Sequence, residues 1–130
     1  VVQRDVPILL RGWAAPEDQV RIIQGEAEVR AEAGADGRWS ATLPPRPAGP
    51  VPDITVESGQ KIVLTDLLAG DVWLAAGQSN MEFRLRRAAG AEAEIPRAGH
   101  EGIRLFKVGR QIAGEPADDV GGVWQKCTPD

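Results

Sequence analysis

The chain has 130 residues, 42% apolar and 26% charged, with a net charge of −4 from 15 basic and 19 acidic side chains. That size suits one average domain, or a small domain with part of another, and roughly two thirds of the unfolded surface can be buried without covalent staples. The acidic balance, with no Lys/Arg-rich run, excludes a nucleic-acid footprint; one cysteine, Cys127, excludes an internal disulfide; and no apolar run reaches the length of a membrane-spanning helix.

Val1 to Asp5 reads as folded-domain sequence rather than as a leader. Val6 to Ala14 is β-rich, with Pro7 tolerable at a strand start or sheet edge. Gln19 to Gln24 alternates, Val20 and Ile22 on one face and Arg21 and Ile23 on the other. Ala27, Val29, Ala31 and Ala33 alternate with Glu28, Arg30 and Glu32; period two predicts a half-buried strand, although alanine and glutamate are helix formers. Asp36-Gly37 is a hairpin signal. Arg38 to Leu43 follows with the cleanest alternation, Trp39, Ala41 and Leu43 against Arg38, Ser40 and Thr42. Pro44 to Pro52 holds five of the ten prolines and predicts an extended loop without ladder bonds. Asp53 to Glu57 and Lys61 to Thr65 form a second hairpin around Ser58-Gly59-Gln60. Five or six short strands at spacings of about ten residues predict a β-sandwich. The four tryptophans, Trp13, Trp39, Trp73 and Trp124, are expected in core or inter-domain packing.

The pattern changes after Asp66. Val72 to Ala76 is a near-continuous apolar run, as expected of a strand buried on both faces of a parallel sheet. Met81 to Ala98 is weakly helical and interrupted by Gly90 and Pro96, so one or two helical turns in a loop are expected. Ile103 to Val108 predicts another strand, and Val123-Trp124-Gln125 a short extended piece. Cys127-Thr128-Pro129-Asp130 resembles a helix start, with Thr128 as N-cap and Pro129 at the first helical position. Two strands cannot complete a parallel sheet with covered faces, so the second domain is expected to be incomplete. The predicted fold is thus mixed: a β-sandwich over 1–68, then over 69–130 the start of a three-layer α/β domain.

Ser79 supports two readings that do not exclude each other. Ser79 with Glu82 fits a capping box, in which the hydroxyl bonds the N3 amide and the glutamate bonds back. Alternatively, a serine after an apolar strand and a Gly77 turn lies at the carboxyl end of a sheet strand, where open α/β sheets bind ligands. The amides of a helix start would there stabilise a developing oxyanion. Gln78 and Asn80 add amides able to orient a carbonyl or a sugar hydroxyl.

Gly70-Asp71-Val72-Trp73-Leu74-Ala75-Ala76-Gly77-Gln78-Ser79-Asn80-Met81-Glu82 resembles the nucleophile block of sialate O-acetylesterase-like proteins, members of the SGNH hydrolase superfamily related to acetylxylan esterases. Gln3-Arg4-Asp5, Gly12-Trp13-Ala14, Asp36-Gly37-Arg38-Trp39 and Leu43-Pro44-Pro45 resemble the family's N-terminal β-domain. Ile103-Arg104-Leu105-Phe106 and Trp124-Gln125 to Cys127-Thr128-Pro129 resemble the continuation of its catalytic domain. The resemblance implies that Ser79 is the nucleophile of an O-acetylesterase acting on acetylated carbohydrate through an acetyl-enzyme, that the Ser79 amide serves the oxyanion hole, that no cofactor or metal is needed, and that the protein is secreted or periplasmic. It also implies that the catalytic histidine and acid lie downstream, leaving this stretch inactive alone. The alternative is a non-catalytic carbohydrate-binding or interaction module.

Three other candidates read as structural. His100, the single histidine, matches no catalytic position of the family and is expected in a surface loop. Asp118-Asp119 lacks the further oxygen ligands of a calcium loop and reads as a turn. Cys127 has no plausible base and reads as a packing residue.

Overall fold

The computed structural model describes residues 1–117 and 119–129. Two compact units divide between Trp73 and Leu74.

The first unit is built from nine strands: β1 (Val2–Gln3), β2 (Ile8–Trp13), β3 (Gln19–Gln24), β4 (Ala27–Glu32), β5 (Arg38–Leu43), β6 (Gly49–Val51), β7 (Ile54–Ser58), β8 (Gln60–Leu64) and β9 (Leu67–Gly70). A four-stranded sheet runs in the order β4-β3-β7-β8, β2 pairs with β5, and a three-stranded sheet runs β1-β9-β6. Period-two alternation turns one face of strands such as β3 and β5 inward, whereas the edge strand β8 is exposed along its whole length. Ile8, Val20, Ile22, Ala41, Leu43 and Ile54 form the buried core, with Val2, Leu10, Val56 and Leu67 packed against it. This is the sandwich arrangement, two sheet layers closing on one apolar interior.

The outward face of the four-stranded sheet carries charge. Glu28 on β4 accepts from Arg21 on β3 at 2.7 Å and from Arg30 at 3.1 Å. Arg21 reaches on to Glu57 of β7 at 3.3 Å, and Lys61 of β8 approaches Glu57 at 3.6 Å. Arg21 and Arg30 stand directly opposite in register, and Glu28 between them offsets their repulsion. One polar side chain, Gln24, reaches the interior, where its Oε1 accepts two bonds from the Arg46 guanidinium at 3.0 and 2.9 Å.

Several expectations are corrected. The Asp36-Gly37 turn does not close a hairpin, because β4 pairs with β3 and β5 pairs with β2. It carries the chain from one layer to the other, and the hairpin joining β3 to β4 turns at Gly25, where φ is +59°. The proline-rich segment is not free of ladder bonds, since β6 pairs with β9 in the register Gly49↔Ala69, Pro50↔Leu68, Val51↔Leu67. Proline is accommodated because β6 is an edge strand, where one missing donor faces no partner.

Of the tryptophans, only Trp39 packs against the core, lying over Gly12, where a Cβ would come within 2.6 Å of the indole. Trp13 falls on the opposite phase of β2 from buried Ile8 and is 66% exposed. Trp73 and Trp124 are also exposed; Trp124 packs against Phe106 with the rings tilted by 50° and their centroids 5.1 Å apart.

The second unit has short 3₁₀ turns at Ser79–Glu82, Leu85–Arg87 and Ile95–Arg97, one α-helical turn α1 (Ala91–Glu94), and strands β10 (His100–Phe106) and β11 (Trp124–Cys127). The interrupted helicity of 81–98 is as its glycine and proline predict. β10 and β11, the expected strand and short extended piece, pair antiparallel, with a register shift between His100 and Arg104. Thr128 and Pro129 follow β11 without helix, and Asp130, the acid of the expected helix start, lies outside the described residues. The Cys127 thiol donates to the Ala98 carbonyl at 3.0 Å, which ties β11 to the helical segment.

Candidate active site

The block from Gly70 to Glu82 begins in the first unit. β1 runs parallel to β9, placing Gln3 beside Gly70. The Arg4 amide donates to the Gly70 carbonyl at 3.0 Å, its guanidinium donates to Asp71 at 2.9 Å, and the Gln3 side-chain oxygen accepts from the Val72 amide at 3.0 Å. Three bonds from two adjacent residues thus hold the start of the block. The Arg4 pKa is raised, first by its hydrogen bond to Asp71 and then by the charge of Asp71 and Asp5.

Residues 71–77 form no strand, and 71–87 are exposed. The expected strand buried on both faces is therefore not formed here: Trp73 is 87% and Leu74 89% exposed. An interior parallel strand needs hydrogen-bonding neighbours on both sides, and among the described residues no strand pairs with 71–77.

In the second unit Ser79 opens a single 3₁₀ turn. Gln78, the residue before it, is extended, with φ −97° and ψ −156°. Met81 donates to the Gln78 carbonyl at 2.9 Å and Phe83 to the Asn80 carbonyl at 3.1 Å. Gly77 admits the Met81 side chain, whose Cγ would stand 3.0 Å from a Cβ at that position. The capping box is not made: Ser79 occupies the first turn position rather than the cap, and no side chain caps the turn. Gln78, Ser79 and Asn80 are brought together at the exposed start of this turn by sequence adjacency.

Glu82 is turned to a different partner. Both its carboxylate oxygens accept from Arg110, Oε1 from Nε at 3.1 Å and Oε2 from the terminal guanidinium nitrogen. That hydrogen bond, then the charge of Arg110, lowers the Glu82 pKa, and Lys107 adds to the effect. Glu82, Lys107, Val108, Gly109 and Arg110 line a shallow open cleft.

Among the described residues no histidine or carboxylate hydrogen-bonds the Ser79 hydroxyl. His100 begins β10, not a loop, opposite Cys127. Asp118 lies outside the described residues, and Asp119 accepts from the Val120 amide at 2.8 Å. Among the described residues no three His, Cys, Asp or Glu side chains group as metal ligands, and no helix is long and apolar enough to cross a membrane. Arg110 and the anchors Gln3 and Arg4 went unassigned in the sequence. Their partners lie 28, 69 and 67 residues away, and no periodic signal links such positions.

No protein-family model matches the chain. The sialate O-acetylesterase of Rattus norvegicus is 32% identical over 130 residues, which is 90% of this chain and 24% of that protein. The sialate O-acetylesterase of Homo sapiens is 30% identical over 121 residues, 86% of this chain and 23% of that protein. A crystal structure of a carbohydrate acetylesterase from Xanthomonas citri matches with a TM-score of 0.93 and 33% identity, over 98% of this chain and 30% of that one. The chain therefore spans about a quarter of the length of the curated relatives it matches.

Proposed function

From the premise that this chain belongs to the sialate O-acetylesterase-like family, we propose that it carries the nucleophile of a serine carbohydrate O-acetylesterase. The observation behind this reading is Ser79 itself, exposed at the first position of a turn, within a thirteen-residue block that resembles the family's nucleophile block. In this reading the β-sandwich expected over 1–68 runs on through the end of β9, and the catalytic domain follows it in sequence.

Ser79 Oγ attacks the acetyl carbonyl of an acetylated sugar, and its proton passes to a general base. The carbonyl π-bond opens onto oxygen, and the Ser79 amide with Gln78 and Asn80 stabilises that charge or orients the substrate. Collapse breaks the bond to the sugar oxygen, which takes up the proton. Water then attacks the acetyl-enzyme, releases acetate and restores the hydroxyl.

The base is not among the partners of Ser79 in the described residues, so residues 1–130 alone are expected not to hydrolyse acetyl esters. Serine catalysis depends steeply on that base. The experiment is Ser79→Ala in an active protein that contains this chain, assayed on p-nitrophenyl acetate and on an acetylated glycan. Turnover should fall by about 10⁴-fold or more; undiminished turnover removes the nucleophile role. Ser79-dependent hydrolysis by residues 1–130 would refute the expected inactivity, and glycan binding by residues 1–68 without any esterase activity would favour the binding-module alternative.

A further inference from the structure

The Ser79 turn lacks the supports that usually hold a short helix. It is four residues long, its cap makes no side-chain bond, and none of its residues is buried. A 3₁₀ turn of this length does not sustain itself, because nucleation fixes several dihedrals for one or two hydrogen bonds. Its two backbone bonds close it locally and anchor it to nothing else in the unit.

The anchor is at its last residue. Arg110 meets both oxygens of Glu82 through two guanidinium nitrogens, the bidentate geometry that fixes direction as well as distance. Arg110 lies on a braced segment: Gly109 donates to the Gly121 carbonyl at 2.8 Å, and the segment leaves β10 at Phe106, whose ring packs at a tilt against Trp124 of β11. Gly122 lies against the same Phe106 ring, where a Cβ would have no room.

We propose that Glu82 and Arg110 are a positioning pair that clips the Ser79 turn to the β10–β11 hairpin and so fixes the backbone from which the serine hydroxyl is presented. The role assigned to the turn rests on Ser79 being the nucleophile; the clip itself does not. Glu82 does not touch the substrate. It keeps the turn wound, with the Ser79 amide and hydroxyl in constant register.

The clip is read directly by amide hydrogen exchange on the 130-residue chain. The Met81 and Phe83 amides close the turn and report its opening. Glu82→Gln and Arg110→Gln should each speed their exchange about tenfold, while amides of β3 keep their rates. The charge-exchanged double variant Glu82→Arg/Arg110→Glu should return both amides to within about twofold of the parent. Unchanged exchange in the single variants, or a double variant no better than either, overturns the clip.

The second measurement uses an active protein that contains this chain. There Arg110→Gln should lower kcat about tenfold with KM unchanged, since small misplacement of a reacting group is costly, and the double variant should recover most of it. Activity lost in Ser79→Ala but unaltered in Arg110→Gln overturns the positioning role alone. Activity indifferent to Ser79→Ala removes the nucleophile reading and with it the positioning role, leaving the clip to the exchange result.

Discussion

Arg4 and Asp71, 67 residues apart, form an ion pair at 2.9 Å that joins the residue after the first strand to the residue after the last strand of the β-sandwich unit. The parallel pairing of β1 with β9 brings them together, and the Gln3 side chain adds a bond to the Val72 amide.

Both partners of that pair are exposed, so its effect should be local, as exposed ion pairs contribute little to global stability. Asp71→Asn should leave the thermal midpoint of the chain nearly unchanged while speeding exchange of the Val72 amide. A large drop in the midpoint would show that the pair supports the whole unit.

The core makes a sharper prediction. Leu43 on β5 is fully buried, whereas Ile62 on the edge strand β8 is 56% exposed. Leu43→Ala should cost about 2–5 kcal/mol in denaturant unfolding, through lost burial and the cavity left behind. Ile62→Ala should stay within about 0.5 kcal/mol.

Gly25 and Gly37 both have positive φ, +59° and +76°, but their surroundings differ. A Cβ at Gly25 would meet nothing within 4 Å, whereas at Gly37 it would stand 2.7 Å from the Ala14 carbonyl oxygen. Gly25→Ala should therefore cost about 1 kcal/mol, the left-handed penalty alone. Gly37→Ala should cost about 2–3 kcal/mol, because the carbonyl must also move. Equal losses in chemical denaturation would contradict this.

Glu28 supplies the pH dependence. Hydrogen bonds from Arg21 and then Arg30 hold its carboxyl at about 2, against an ordinary 4.5. A depressed folded-state pKa means that its stabilisation is fully present above the unfolded value. It is lost as pH falls from about 4.5 towards about 2. Carbon-detected NMR titration should find Glu28 as an acid-shifted glutamate, and Glu28→Gln should flatten the acid limb of the stability profile in that window.

What was legible in the sequence was local and periodic. Strands β3, β4 and β5 follow from alternation, because a half-buried strand requires period two, and β2, β7 and β8 from short β-rich runs set between turn residues. The block from Gly70 to Glu82, with Gln78, Ser79 and Asn80, stands out as a contiguous run.

What the tertiary structure decided was pairing at a distance. It sent the Asp36-Gly37 turn between layers instead of around a hairpin, and gave Pro50 a place in an edge strand paired with β9 alone. Among the described residues it gave Val72 to Ala76 no strand partner, and it moved Glu82 from a cap to Arg110. Each depends on which strand or side chain lies opposite, a matter of long-range register and competing partners that no local pattern encodes. Ser79 is therefore readable from its own neighbours, while the way its turn is held is readable only in the fold.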